Sequence, residues 1–355
     1  MFSPLITLSA VETPDEVEAI LEPTRLSLIT AGTDLTGVFA DIEQQTGNKL
    51  VDFRERFNQE ASPNPWNFSL SNREFWPLLD KFLDAADLDL YTSSGEESLA
   101  VVNRMRGSAP RFGRACYAGP FRIEALSITA RRGLRIPGES SAQLDLEIAW
   151  EPRLSPISFS LATDAIQVVG DDQTPLVVEQ RPPVLGAEVS TGSHAVDLVV
   201  PLGLPPRQVR YIGSIQGNLT ALVPAKKAEF RFTDLVAAQN VQQAQEDLKV
   251  VLVAARKNQA LWEIHMRLEF DGDVPALELQ RGWAFQNLTF LENAEGEVID
   301  HAGFETTIQT EQTLGLAYFF DLPVENLDGY TWVYRTPAAI IEVPVEFELK
   351  DIPLP

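Results

Sequence analysis
The stretch LTGVFADIEQQTGNKLVDF, from Leu35 to Phe53, decides how the front of the chain is read. Leu35, Val38, Phe39 and Ile42 recur at i, i+3, i+4 and i+7, which places them on one stripe of an α-helix. Thr33 or Asp34 supplies the N-cap, Gly47 a left-handed stop, and KLVDF resumes as a strand. RLSLIT, just upstream, is strand-like. A similar phrase follows. WNFSLS alternates Trp66, Phe68 and Leu70 against polar residues, the pattern of a half-buried strand. Ser71-Asn72-Arg73-Glu74 has the form of a capping box, with Leu70 and Phe75 as its hydrophobic staple. Phe75, Leu78, Leu79, Phe82, Leu83 and Ala86 give a buried helical face, with Pro77 close to the first turn, where it is tolerated. DLDLYTSSGEESLAVVN reads as a hairpin bending at Ser93-Ser94-Gly95.

Past the basic linker RMRGSAPRFGRA the pattern changes to strands. GPFRIEALSITA is a strand with a bulge, because its apolar positions switch face between Ala125 and Leu126. In AQLDLEIAWEP, Leu144, Leu146, Ile148 and Trp150 point inward and Asp145, Glu147 and Ala149 outward. WEIHMRLEF and the final IIEVPVEFELK alternate in the same way, and Pro344 places the last strand at an edge or a bulge. VAAQNVQQAQED is the one helix-like insertion, polar enough for a surface connection. The predicted fold is β-rich: an α+β N-terminal module built as a duplicated β-α-β, then two mainly antiparallel β-sandwich domains. The expected boundaries are a lead-in at 1–24, the α/β module at 25–108, one sandwich at 109–205 and a larger one at 206–355.

The chain has 355 residues, more than one hydrophobic core of roughly 250–300 residues organises. Its 51 acidic and 28 basic residues give a net charge of −23, which disfavours nucleic acid and anionic membrane surfaces as partners. The single cysteine, Cys116, forms no intrachain disulfide and reads as a small apolar residue. No run reaches the roughly 18 apolar residues of a transmembrane helix. The opening MFSPLITLSA lacks the basic residues and apolar stretch of a signal peptide.

Catalytic chemistry has little foothold. His194 lies in a Ser/Gly loop, His265 faces outward beside Glu263 and Arg267, and His301 sits in a turn. They read as exposed polar residues, and no pair has metal-ligand spacing. GSIQG, Gly213 to Gly217, has the wrong order for a nucleophile elbow and reads as a bulged strand. Asp171-Asp172 and Asp271-Gly272-Asp273 are ordinary acidic turns without the spacing of a calcium loop. Trp66, Phe75 and Trp76 lie close in the first module; Trp150, Trp262, Trp283 and Trp332 fall on strands, and those in clear alternation take the apolar phase, a core placement rather than a sugar-stacking one. The expectation is therefore no catalytic residue, no metal and no cofactor.

The front pattern resembles the short N-terminal module of secretins and TonB-dependent outer-membrane transducers over roughly residues 25–104. Leu35, Phe39, Ile42, Thr46 and Gly47 occupy the module's packing and turn positions. The insert RERFNQEASPNPWN departs from it, and no barrel or ring domain follows. The remainder resembles uncharacterised bacterial envelope β-sandwich proteins. The resemblance implies a periplasmic or extracellular, non-catalytic protein that contacts envelope proteins, with its leader missing from this sequence. Homo-oligomerisation is compatible with it. The competing expectation is a carbohydrate-binding or carbohydrate-active protein with a carboxylate and tryptophan site on a sandwich face.

Overall fold
A computed structural model of the chain describes residues 21–31, 34–60, 67–96, 98–136, 139–245, 248–270, 284–285, 287–310 and 313–355. Strands dominate, in several sheets, with two α-helices among the described residues. The chain divides into two compact units. One holds the described residues up to Val223 together with Glu342–Pro355; the other holds Pro224–Ile341.

The first unit opens with β1 (Arg25–Ala31), α1 (Leu35–Thr46), β2 (Leu50–Asp52), β3 (Asn67–Glu74), α2 (Phe75–Ala86), β4 (Leu88–Tyr91) and β5 (Leu99–Asn103). Asp34 caps α1 by accepting from the Gly37 amide at 2.8 Å, and Gly47, at φ +72°, ends it. Thr33 lies outside the described residues. The Ser71 capping box does not form. β3 stays paired with β1 as far as Glu74, so Ser71 belongs to a strand and Glu74 takes the N-cap position without a side-chain bond. The Phe75 amide donates instead to the Thr24 carbonyl at 2.9 Å. Pro77 is the third residue of α2, where its missing N–H has no helical acceptor to lose. β1 and β3 are antiparallel; β5 lies between β2, to which it is parallel, and β4, to which it is antiparallel.

Then follow β6 (Ala115–Ala118), β7 (Phe121–Arg131), β8 (Ser141–Trp150), β9 (Ser158–Ala162), β10 (Gln167–Gly170), β11 (Val184–Glu188) and β12 (Ala195–Gly203). One antiparallel sheet has the order β12-β8-β7-β6. β7 bulges between Ala125 and Ser127, at the predicted switch of face. Leu144, Leu146, Ile148 and Trp150 are buried on one side of this sheet, and Trp150 stacks on Phe159 of β9 with ring centroids 5.5 Å apart. The opposite side is also covered. Ala149 and Ala195 join the apolar cluster formed by α1 and α2 with Leu26, Leu28, Leu50, Leu88, Leu99 and Val101. Ala149, outward by alternation, is therefore buried under the helices.

β13 (Tyr211–Phe232) and β21 (Thr331–Pro353) are long strands that carry the chain from one unit into the other. In the first unit their parts extend the sheet β11-β9-β13-β21, with β10 also paired to β13. The β10 pairing shifts register opposite Ile212–Ser214, so GSIQG is a bulged strand as read from sequence. β17 pairs only with Thr331–Tyr334 of β21, so Pro344 falls where one side of β21 has no partner among the described residues.

The second unit adds β14 (Val241–Gln245), β15 (Leu248–Asn258), β16 (Leu261–Phe270), β17 (Thr289–Glu292), β18 (Val298–Asp300), β19 (Gly303–Gln309) and β20 (Thr313–Asp321). One sheet has the order β14-β15-β16-β20-β19; within this unit β21, β17 and β18 pair in a second. Their faces meet at Tyr318 and Tyr334, with ring centroids 6.5 Å apart. A buried polar chain holds this core: the Trp332 indole donates to Thr289 Oγ1 at 2.7 Å, and Thr289 donates to the Val333 carbonyl at 2.9 Å. Asn287 donates to the Tyr334 hydroxyl at 2.8 Å and to Thr336 Oγ1 at 2.9 Å. The helix-like reading of VAAQNVQQAQED fails at its centre. Val241–Gln245 is extended because it pairs with Leu248–Leu252, a gain an isolated polar helix does not offer.

Candidate functional site
The residues singled out for chemistry mostly serve packing. His194 is buried, not exposed. Its amide donates to the Thr92 carbonyl at 2.9 Å, its carbonyl accepts from the Trp150 amide at 3.3 Å, and its Nε2 lies 3.1 Å from the Glu96 carbonyl. Beside it Gly95 donates to the Gly192 carbonyl at 3.1 Å, so two loops are tied together. His265 meets Glu263 at 2.9 Å on the outward face of β16. The His301 ring packs against Tyr318, 5.1 Å away between centroids, and against Phe304 and Phe320. Asp172 accepts from the Thr174 amide in a local turn; Asp271-Gly272-Asp273 lies outside the described residues. Cys116 is half-buried on β6. Among the described residues, no group of three His, Cys, Asp or Glu side chains is placed to hold a metal ion.

Trp76, Trp150, Trp262 and Trp332 are all buried, so none of these four offers a ring for a sugar to stack on. Trp66 and Trp283 lie outside the described residues.

Sequence reasoning missed the strongest electrostatic feature. Arg122 of β7 and Asp80 of α2 are both fully buried, with Nε 2.7 Å from Oδ2. Asp80 also accepts from the Tyr117 hydroxyl at 2.8 Å and from Arg111 Nε at 3.1 Å. Arg122 reaches Glu124 at 2.7 Å and Glu147 at 3.8 Å. Arg111 continues to Asp89, and Asp84 takes Arg104 and the amides of Arg111 and Phe112. Burial works against the Arg122 charge, but Asp80 and Glu124 outweigh it and hold the guanidinium protonated. Burial and the Asp80 carboxylate push the Tyr117 hydroxyl well above the ordinary tyrosine range. Burial also raises Glu147, with Glu124 and Asp197 adding to the rise and Arg122 and Arg111 opposing it. Glu124, Glu147 and Asp197 stand directly opposite one another across β7, β8 and β12. Acids here face bases, so the cluster clamps a helix to a sheet; its pKa shifts follow from that role.

A second clamp centres on Glu151, whose buried carboxylate accepts from the Thr24 amide and hydroxyl at 2.9 Å each. It also takes Asn48 Nδ2 at 3.1 Å and Arg153 Nε at 2.7 Å.

The second unit presents something different at β14. The Asn240 amide donates to the Val253 carbonyl at 3.1 Å. Hydrogen-bonding residues alternate along an antiparallel ladder, so Gln242 and Ala244 also face β15. The backbone groups of Val241, Gln243 and Gln245 then face away, where no strand pairs among the described residues. β14 has no proline, no charge and no register shift, and four of its five residues are exposed. Three other edges are blunted. β19 is bulged at Thr307 and carries Glu305. The unpaired side of β21 carries Pro344 and Lys350. β12 is covered by Val177 and Glu179, which bond to Gly203 and Pro201. Gln243 and Gln245 of β14 themselves seal part of β13, donating to the Arg231 carbonyl at 2.6 Å and the Glu229 carbonyl at 2.9 Å.

Comparison of the chain with protein-family models, curated proteins and solved structures finds no match. No helix among the described residues is long and apolar enough to cross a membrane.

Proposed function
We propose that this chain is a non-catalytic protein-interaction component of a bacterial envelope, acting in the periplasm or at the cell surface. The reading takes the front as a duplicated β-α-β docking module akin to that of secretins and TonB-dependent transducers. It takes the rest as two β-sandwich bodies. The observation that carries it is the β14 edge. Natural sheets disarm their edges with charges, prolines, bulges or covering loops, and an edge left regular and uncharged suits the addition of a partner's strand. The buried tryptophans favour this reading over a sugar-binding face.

The test exploits the outward amide of Gln243. Proline at that position removes the N–H a partner strand needs while leaving the β14–β15 ladder intact. Gln243→Ala is the control, since it loses only the side-chain bond to Arg231. Affinity capture from native envelope extracts is expected to recover a partner with the wild type and Gln243→Ala, and to lose it with Gln243→Pro. Equal recovery with the proline variant, or recovery of nothing at all, overturns the reading.

A further inference from the structure
The hairpin between β7 and β8 ends in Arg131-Arg132-Gly133-Leu134-Arg135-Ile136. Leu134 is 90% exposed and Ile136 53%, and all three arginines are exposed. None of those arginines enters an ion pair among the described residues, and no acid interrupts them before Glu139. Two hydrogen bonds join the described residues of this hairpin end. The Gly133 amide donates to Ser140 Oγ at 3.0 Å, and the Glu139 amide donates to the Ile136 carbonyl at 3.0 Å. A Cβ on Gly133 would lie 2.2 Å from the Ile136 carbonyl oxygen, so only glycine fits beneath the tip. In a chain of net charge −23, this hairpin end thus carries three free cations around the most exposed large apolar side chain of the described residues.

We propose that this tip docks on an anionic lipid surface, independently of the β14 edge. Leu134 and Ile136 enter the boundary between headgroups and acyl chains, while Arg131, Arg132 and Arg135 pair with lipid phosphates. Charge complementarity names the sign of the partner. Size and shape name its kind: two apolar side chains at an apex fall far short of the roughly 800 Å² per side of a specific protein interface, whereas a bilayer yields around a wedge of any size. The local balance is three arginines against Glu139, whose Cβ would lie 3.5 Å from a Cβ on Gly133, and the rest of the negative charge counts for less because charges beyond about 8 Å are screened at physiological salt. The sequence-level exclusion of membrane surfaces, drawn from net charge, averages over this local reversal of sign.

The experiment is sedimentation of the full chain with vesicles of phosphatidylcholine containing phosphatidylglycerol, against phosphatidylcholine alone. Binding is expected to the anionic vesicles only, and to weaken as salt rises. Leu134→Ser is expected to lower partitioning about tenfold or more, and Arg132→Gln about fivefold. Both positions are exposed, so circular dichroism should be unchanged, and Gln243→Pro should leave vesicle binding intact. The proposal is overturned if the chain ignores anionic vesicles, or if Leu134→Ser and the triple Arg131→Gln/Arg132→Gln/Arg135→Gln variant bind as well as wild type. Tip-dependent binding to polyglutamate without binding to vesicles would also overturn it, and assign the tip an acidic polypeptide.

Discussion
Arg122 Nε donates to Asp80 Oδ2 at 2.7 Å, and neither side chain is accessible to solvent. A sheet and a helix distant in sequence are thereby joined by an ion pair that water does not screen. Removing one member leaves the other buried charge without its nearest partner, with Arg111 and Tyr117 still on Asp80 and Glu124 still on Arg122, and breaking a buried pair costs about 3–5 kcal/mol. Arg122→Met and Asp80→Asn are each expected to lower the stability of the unit by that order in urea unfolding. The double variant should be less destabilised than the sum of the two. Additive losses would mean that the two side chains are not energetically coupled.

Glu147 makes a prediction of opposite sign to that usual for carboxylates. Burial raises its pKa in the folded chain, so the folded state holds its proton more tightly than the unfolded state. Its contribution to stability is complete below the unfolded value and is lost as pH rises through the folded value. Glu147→Gln, which fixes the neutral form, should be at least as stable as wild type near neutral pH. The difference should shrink on acidification, where wild-type Glu147 takes up its proton. Urea midpoints across that pH range measure it, and a variant that is clearly weaker at neutral pH contradicts the assignment.

Asp84 of the same cluster runs the other way. Burial tends to raise Asp84, but the Arg111 and Phe112 amides and the Arg104 guanidinium outweigh it and hold the pKa low. The stability this contributes is present above the ordinary aspartate value and disappears as pH falls through the lowered one. Asp84→Asn should flatten the acid limb of the pH–stability curve, and an unchanged limb would remove Asp84 from the list of causes.

Two glycines with the same backbone angle should respond differently to alanine. Gly47 and Gly192 both sit at φ +72°, but a Cβ on Gly47 meets nothing within 4 Å. On Gly192 it would lie 2.4 Å from the Gly95 carbonyl carbon, which belongs to backbone and cannot step aside. Gly47→Ala is expected to cost about 1 kcal/mol, the usual left-handed penalty. Gly192→Ala should cost clearly more and loosen the loop pair around His194. Thermal melts of the two variants give the order directly.

In the other unit, Thr289→Val keeps the shape of the side chain and removes the acceptor of the Trp332 indole. A buried donor left unmade costs about 1–3 kcal/mol, to be read from unfolding followed by tryptophan fluorescence.

What the sequence disclosed was local and periodic. The Leu35–Ile42 stripe, the choice of Asp34 or Thr33 as cap, the Gly47 stop and the bulge after Ala125 all rest on residues within one or two turns of each other. Where the sequence misled, a distant partner had intervened. Ser71 was offered a helix cap by its neighbours but is held in a strand by β1. The glutamines of Val241–Gln245 carry no apolar alternation, and only their pairing with β15 makes them a strand. Arg122 sat in FRIEALSITA as an ordinary polar position of a half-exposed sheet, and Asp80 as a polar residue between the apolar positions of a helix. Nothing in either segment announces that each is buried by the other. The β14 edge was illegible for the same reason, since an edge is defined by the strands that do not come.

The route of β13 and β21 bears on how the molecule is made. The sheet that contains β9 receives Glu342–Pro353 as a neighbour of β13, after all of Pro224–Ile341 has been synthesised. On the ribosome, domains usually mature in the order they emerge. Here the unit that emerges early must wait, one strand short, until the chain returns to it. Pro224–Ile341, though later in sequence, is the first of the two to have its strands in hand.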